Sequence, residues 1–236
     1  MAKLGVNIDH VATLRQQRGT PYPCPVEASL VSEKAGAYNI TAHLREDRRH
    51  IQDRDIHGIS DAISIPLNFE MANHPEMVKL ALKILPGEAC LVPERREELT
   101  TEGGLNATGQ LEQLKGPVGE MLAAGIAVSL FIEPEKGQID TAAALNIPVI
   151  ELHTGTYCEL TGEKRANELV RLKTAAEYAH SLGIQVNAGH GITLDNAQGI
   201  LEIPHIDTLN IGHSIISRAV FTGLEAAVKE MIAVLK

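Results

Sequence analysis

The feature that most constrains this chain is an alternation, repeated from end to end, of short apolar runs with longer amphipathic stretches. That rhythm is the mark of βα units feeding a parallel sheet. Eight candidate strands centre on residues 4–8, 39–43, 65–70, 89–92, 128–132, 149–153, 185–187 and 208–211. Between them the apolar spacing turns helical: Ala166, Leu169, Leu172, Ala176 and Ala179 recur at steps of three and four before Gly183. Leu224, Val228, Met231 and Leu235 do the same at the end of the chain, and another helix is expected to open at Pro75 and carry Met77, Leu80, Ala81 and Ile84. Pro66 falls inside the third run, where a central strand tolerates proline poorly, so the start of that strand is left open.

Within a strand, successive side chains face opposite sides of the sheet. That parity sends Leu4, Val6 and Ile8 outward and leaves Gly5, Asn7 and Asp9 facing in. It also turns inward Thr41, His43 and Arg45, then Asn68 and Glu70, then Glu151 and His153, then Asn210 and Gly212. Eight units that close on themselves make an α/β TIM (β/α)8 barrel, although a doubly wound open sheet shares the alternation. Barrel interiors are ordinarily filled by branched apolar side chains. Polar groups held at the carboxyl ends of several strands therefore cost free energy to bury, and such a cost marks a site.

The 236 residues match a single barrel domain of roughly 250 without a linker. With 44% hydrophobic and 22% charged residues a sizeable core is available, which argues against disorder. Aromatics at 3%, no tryptophan and a net charge of −9 argue against a stacking surface or a phosphate-backbone footprint for nucleic acid. Residues 1–7 hold no long apolar stretch and no run approaches a membrane span, so a cytoplasmic protein is expected. Cys24, Cys90 and Cys158 lie far apart in no paired spacing, which disfavours a disulfide framework or structural zinc.

His43, Glu70, His190 and His213 come from different units, and a barrel brings them to one mouth. A lone strand-end histidine more often serves structure than catalysis, so the convergence carries the argument. The run from His43 to His50 leaves strand two as a dense charged loop, of which Glu46, Asp47, Arg48 and Arg49 read equally well as a self-paired surface. Arg45 shares the parity of His43 and is placed for a bidentate grip on phosphate, with His50 closing over the same ligand. After strands seven and eight come residues 187–193 and 210–214, whose small side chains let backbone N–H groups approach an anion near a helix start; turn-making alone would also ask for glycine. Glu70 is the proton-transfer candidate. Asp9 is expected to point inward, with His10 reaching the ligand from a loop. No proposed strand end carries a lysine for a Schiff base, and no His-x-His pair marks a metal site, although Asp9, Glu70 and the histidines remain scattered candidate ligands.

These motifs resemble a known family. Gly5-Val6-Asn7-Ile8-Asp9-His10, Thr13-Leu14-Arg15, Arg18-Gly19-Thr20, residues 43–50 and Asn68-Phe69-Glu70-Met71-Ala72 are similar to the pyridoxine 5'-phosphate synthases. So are Leu91-Val92-Pro93-Glu94, residues 100–104 and 128–132, Glu151-Leu152-His153-Thr154-Gly155, and residues 186–191 and 209–213, collinear from the first strand to the last helix. The resemblance implies a TIM barrel with extra helices, assembled as a homo-octamer and needing no cofactor. It implies condensation of 3-amino-2-oxopropyl phosphate with 1-deoxy-D-xylulose 5-phosphate, in which the substrate's own amine attacks the pentulose carbonyl. His43 and Glu70 match the family's proton acceptor and acid/base carboxylate, and His190 its proton donor. Asp9, His10, Arg45, His50 and Thr100 match positions holding the deoxyxylulose phosphate; Asn7, Arg18, Gly191, Gly212 and His213 match those holding the amino ketone phosphate. Phe69 departs from the usual leucine, and Tyr38-Asn39 from a smaller pair. A closing loop is expected within residues 45–54 or 94–106. The rival expectations are another barrel isomerase or aldolase acting on a phosphosugar, and a non-catalytic protein that binds a B6 phosphate.

Overall fold

The computed structural model describes residues 2–94 and 103–236. Strands form where the apolar alternation is strongest: β1 (Lys3–Asn7), β2 (Asn39–His43), β3 (Leu67–Met71), β4 (Glu88–Leu91), β5 (Ala127–Ile132), β6 (Val149–His153), β7 (Gln185–Gly189) and β8 (Ile206–Ile211). They pair in parallel in sequence order, and β8 returns to β1 to close the barrel. All eight expected strands are present. The third begins at Leu67, so Pro66 stands just outside it, offering the carbonyl that accepts from Ile40 N–H at 3.0 Å where its missing N–H is not needed.

The helices are α1 (Asp9–Gln16), α2 (Pro25–Ala35), α3 (Asp53–Ala62), α4 (Pro75–Ile84), α5 (Leu111–Ala123), α6 (Lys136–Ala144), α7 (Gly155–Glu159), α8 (Gly162–Ser181), α9 (Ala197–Ile200), α10 (His213–Thr222) and α11 (Leu224–Val234). Local sequence sets their ends: Pro25 and Pro75 occupy first turns, Gln52 and Asp55 form a capping box at α3, and α2 stops at left-handed Gly36. Among the described residues, three helices exceed one per strand. α1, α7 and α10 each start within two residues of a strand's carboxyl end, so the extra helices rim the mouth. Among the described residues no helix is long and apolar enough to cross a membrane.

The core lies between sheet and helices. Val6, Ile40, Phe69, Leu91, Leu130, Ile150, Ala188 and Leu209 face outward and are buried against Ile56 and Ile59 of α3, Met77 of α4, Met121 of α5, Leu172 of α8 and Val228 of α11. Each large apolar side chain so buried contributes about 1.5–3 kcal/mol relative to exposure. Phe69, the departure from leucine, is accommodated there with no exposure.

The inside of the barrel is polar, as the strand parity predicts. Asn68 Nδ2 donates to Thr41 Oγ1 at 3.3 Å, Thr41 Oγ1 to Asn210 Oδ1 at 3.4 Å, and Asn210 Nδ2 to Glu151 Oε2. Gly5 is required in this layer, because a Cβ there would lie 2.0 Å from Asn210 Oδ1 and 2.2 Å from Asn39 Oδ1. A glycine on β1 thus makes room for amides from β2 and β8.

Candidate active site

At the carboxyl ends of the strands a cavity of about 650 Å³ opens, lined on one side by Asn7, Asp9, His43, Arg45 and Glu70 and on the other by His190, Gly191, Gly212 and His213. Phe131 and Val92 supply apolar wall, and Glu151 lies at its base.

On the first side, polar groups fix one another. The His43 backbone N–H donates to Asp9 Oδ1 at 2.8 Å, and Asn7 Nδ2 donates to Asp9 Oδ2 at 2.9 Å. The His43 ring pairs through Nε2 with Glu94 Oε1 at 2.9 Å, while its Nδ1 sits 3.9 Å from Glu70 Oε2. Strand register produces this, since His43 on β2 is directly beside Glu70 on β3. Burial first, then the charges of Glu151, Asp9 and Glu88, push Glu70 well above the usual carboxylate range, which favours its protonated form. Burial also pushes Glu94 upward, but the His43 hydrogen bond and charge, the Glu46 N–H and the Arg45 charge outweigh it and hold Glu94 below its ordinary value. Two nearby carboxyls are thereby driven in opposite directions, an arrangement suited to acid/base work.

The second side is made largely of backbone. His190 and Gly191 both take left-handed conformations, at φ 81° and 78°. A non-glycine residue held there costs about 1–3 kcal/mol, and the surroundings impose it. Thr154 Oγ1 donates to the carbonyls of Gly189 (2.8 Å) and His190 (2.7 Å), and Asn196 Nδ2 donates to that of Gly191 at 3.0 Å. The N–H of a trans peptide points opposite to its C=O. Carbonyls of His190 and Gly191 drawn away from the cavity therefore turn the N–H groups of Gly191 and Ile192 toward it. α10 starts at His213 beside them and adds its positive end. Burial first, then the neighbouring His153, lowers the proton affinity of His190; burial also lowers that of His50, and of His10 with help from His213.

Of the residues singled out from sequence, Asn7, Asp9, His10, His43, Arg45, His50, Glu70, His190, Gly191, Gly212 and His213 all line this cavity. Two do not. Arg18 is exposed in the turn after α1, where its N–H bonds to the Arg15 carbonyl at 3.2 Å and Gly19 (φ 62°) turns the chain, so it stands outside this chain's cavity. Thr100, with the middle of the 94–106 stretch, lies outside the described residues. His10 is corrected in one respect: it belongs to the first turn of α1 rather than to a loop, and its ring meets that of His213 edge to face at 4.8 Å.

The charged loop after β2 divides as its two readings allowed. Arg48 pairs with Asp53 and Glu76 and Arg49 with Asp47, yet Arg49 also lines the cavity. Sequence reasoning did not assign Arg15, which makes a buried bidentate pair with Asp55 (both bonds 2.7 Å) and donates to the His50 carbonyl at 3.1 Å, tying α1 to the His50 loop. Nor did it give a role to Glu94, which it named only within the motif that follows strand four. Asp9, His43 and Glu70 bring ligand atoms within 4.8 Å of one another, close enough for a divalent cation. Both Asp9 oxygens and His43 Nε2 already have partners, with which a cation would compete.

Comparison with known proteins places this geometry in a family. The model of the family described as "Pyridoxal phosphate biosynthesis protein PdxJ" matches residues 4–236. A protein of Idiomarina loihiensis named pyridoxine 5'-phosphate synthase is 55% identical, across 97% of this chain and 95% of that one. One of the same name from Photobacterium profundum is 56% identical across 97% and 94%. Among solved structures, KGPDC from Streptococcus mutans superposes with a TM-score of 0.67 at 12% identity, covering 100% of this chain and 97% of the other, a likeness of fold alone.

Proposed function

The chain belongs to the PdxJ family of pyridoxal phosphate biosynthesis proteins, and from that premise we propose that it is a pyridoxine 5'-phosphate synthase, joining 3-amino-2-oxopropyl phosphate to 1-deoxy-D-xylulose 5-phosphate with release of phosphate and water. The observation that carries this reading is the sharing of one cavity by His43, Glu70 and His190 with two kinds of anion-binding group. Arg45, buried at the mouth, supplies the charged kind, and the Gly191 and Gly212 backbone beside α10 supplies the other. Two phosphorylated reactants held together turn a slow bimolecular imine formation into an intramolecular step, worth several kcal/mol of barrier.

In this mechanism the amine of the amino ketone attacks the pentulose carbonyl. Glu70, protonated through burial, gives its proton to the carbinolamine oxygen as water leaves, and takes one back at the next enolisation. His43, with Nε2 held by Glu94, works on the same face through Nδ1. His190 donates on the opposite face as the phosphate departs and the ring closes. Asn7, Asp9, His10, His50 and His213 orient the substrates; Arg18 and Thr100 keep their places in the proposal on family resemblance. A cytoplasmic octamer is part of the same reading.

Purified protein mixed with both substrates is expected to yield pyridoxine 5'-phosphate and free phosphate by mass spectrometry and phosphate assay. An isomerised pentulose with both phosphates retained would identify a different enzyme, and neither substrate would be consumed by a mere binding protein. Exhaustive chelation is expected to leave the rate unchanged. A loss restored by a divalent ion would put a metal on Asp9, His43 and Glu70.

A further inference from the structure

A second carboxylate–histidine pair lies across the mouth from His43 and takes no part in the mechanism above. Glu133, just past the end of β5, pairs with His153 Nδ1 at 2.7 Å, accepts the Gly104 N–H at 3.0 Å and stands 3.7 Å from Arg171 of α8. His153 is buried at the end of β6, and its other nitrogen, Nε2, has no hydrogen-bond partner among the described residues. That nitrogen faces the space over Gly155. A Cβ on Gly155 would lie 2.4 Å from it and 2.9 Å from Cδ2 of His190. Glycine at 155 therefore lets the two imidazoles approach, and they meet edge to face with centroids 5.2 Å apart.

An enclosed imidazole nitrogen that lacks a partner, borders a second imidazole and is backed by a carboxylate is placed to exchange a proton with its neighbour. We propose that His153, held by Glu133, is a positioning residue that keeps a proton in reserve for His190. The inference rests on the reading of His190 as proton donor. When His190 gives its ring proton to the departing oxygen, the proton on His153 Nε2 reaches His190 through one bridging water, since no His190 nitrogen is hydrogen-bonded to it. His153 keeps Nδ1–H toward Glu133, and a proton from water refills Nε2 after product leaves; only N–H and O–H bonds change. The charged and titratable groups around the pair are Glu133 after β5, Arg171 of α8, and Cys158 and Glu159 of α7 beside His190. Burial pushes Glu133 upward, but the His153 and Gly104 hydrogen bonds and the charges of His153 and Arg171 outweigh it, so Glu133 stays ionised opposite the imidazole.

Glu133→Gln tests the idea with little change of shape, since the amide oxygen still accepts from Nδ1–H while the counter-charge is gone. The expected result is a fall in kcat of about tenfold or more, an unchanged KM and an unchanged unfolding temperature. In a His190→Gln background the same substitution should cost nothing further, as expected of a residue acting through His190. An unaltered kcat, or losses that multiply with those of His190→Gln, would overturn the proposal. A readout independent of turnover is the low-field proton NMR signal of His153 Nδ1–H, identified by its loss in His153→Gln and expected to move upfield in Glu133→Gln. Its absence from the wild-type spectrum would remove the pair. Failure of the wild-type protein to make product would remove the functional reading instead.

Discussion

On the β1–β3 side of the mouth, the cavity is lined by side chains that hold one another: Asn7 and the His43 N–H fix Asp9, Glu94 fixes the His43 ring, and Glu70 lies 3.9 Å away. On the β7–β8 side the working surface is mostly main chain, and the side chains of Thr154 and Asn196 act from behind by fixing its carbonyls. The first side is therefore damaged by taking a functional group away, since each group leaves a buried partner unbalanced. The second is damaged by adding atoms, because its conformation depends on the space where a side chain would be.

The largest effect should come from the first side. Glu70→Gln keeps size and hydrogen bonding but ends proton transfer, and kcat is expected to drop by about 10²–10⁴-fold with KM nearly unchanged. Steady-state kinetics at saturating substrate checks this, and a near-normal kcat would remove Glu70 from the acid/base role. Arg45→Ala should act differently, raising KM for the deoxyxylulose phosphate by roughly 10–100-fold, as the loss of a charged hydrogen bond worth about 1.5–3 kcal/mol requires. An unaltered KM would shift the phosphate to the backbone side.

Gly191→Ala asks whether the second side fails by addition. The new Cβ would sit 2.8 Å from that of Cys158 at a φ of 78°. A destabilisation of about 1–3 kcal/mol is expected, read as a lowered unfolding midpoint in urea together with weaker phosphate binding. Full stability and affinity would mean that the 190–192 backbone adapts freely, and the contrast between the two sides would dissolve.

The same contrast explains what was legible in the sequence. Strand parity exposes inward side chains, so His43, Arg45 and Glu70 could be read before any coordinates, and all three line the cavity. Helix signals were equally local: Gly183 follows α8, and Pro75 opens α4. Partnerships across the barrel leave no such trace. Arg15 and Asp55 are 40 residues apart and His43 and Glu94 are 51 apart, and nothing in either neighbourhood names its partner. The glycines of residues 189–191 suggested close backbone approach, yet of the side chains that direct the carbonyls Thr154 comes from the β6 unit, and both it and Asn196, five residues past Gly191, are ordinary polar residues in sequence. Arg18 has the type and the family position expected of an anion ligand, but the turn at Gly19 leaves it outside the cavity.

The smallest expected effect concerns Glu151, where the two sides meet. It accepts from Asn210 of β8, and in its ionised form its charge helps raise Glu70 of β3. Burial pushes its own carboxyl up to about 8, with Glu88 adding to the rise and the Asn210 hydrogen bond opposing it. The folded protein therefore keeps this proton up to about 8, whereas the unfolded chain releases it near the ordinary 4.5. Between those values the unfolded state binds fewer protons, so stability is full below the lower one and falls as pH rises through the window. Glu151→Gln removes this titration while preserving the acceptor for Asn210, so its Tm should decline less steeply over the same interval. Part of the slope should persist, because Glu70 is raised in the same direction. Calorimetry of both proteins at several pH values checks the point: parallel slopes would mean that Glu151 is already ionised in the fold, and with it the charge assigned to the floor beneath both sides would have to be redrawn.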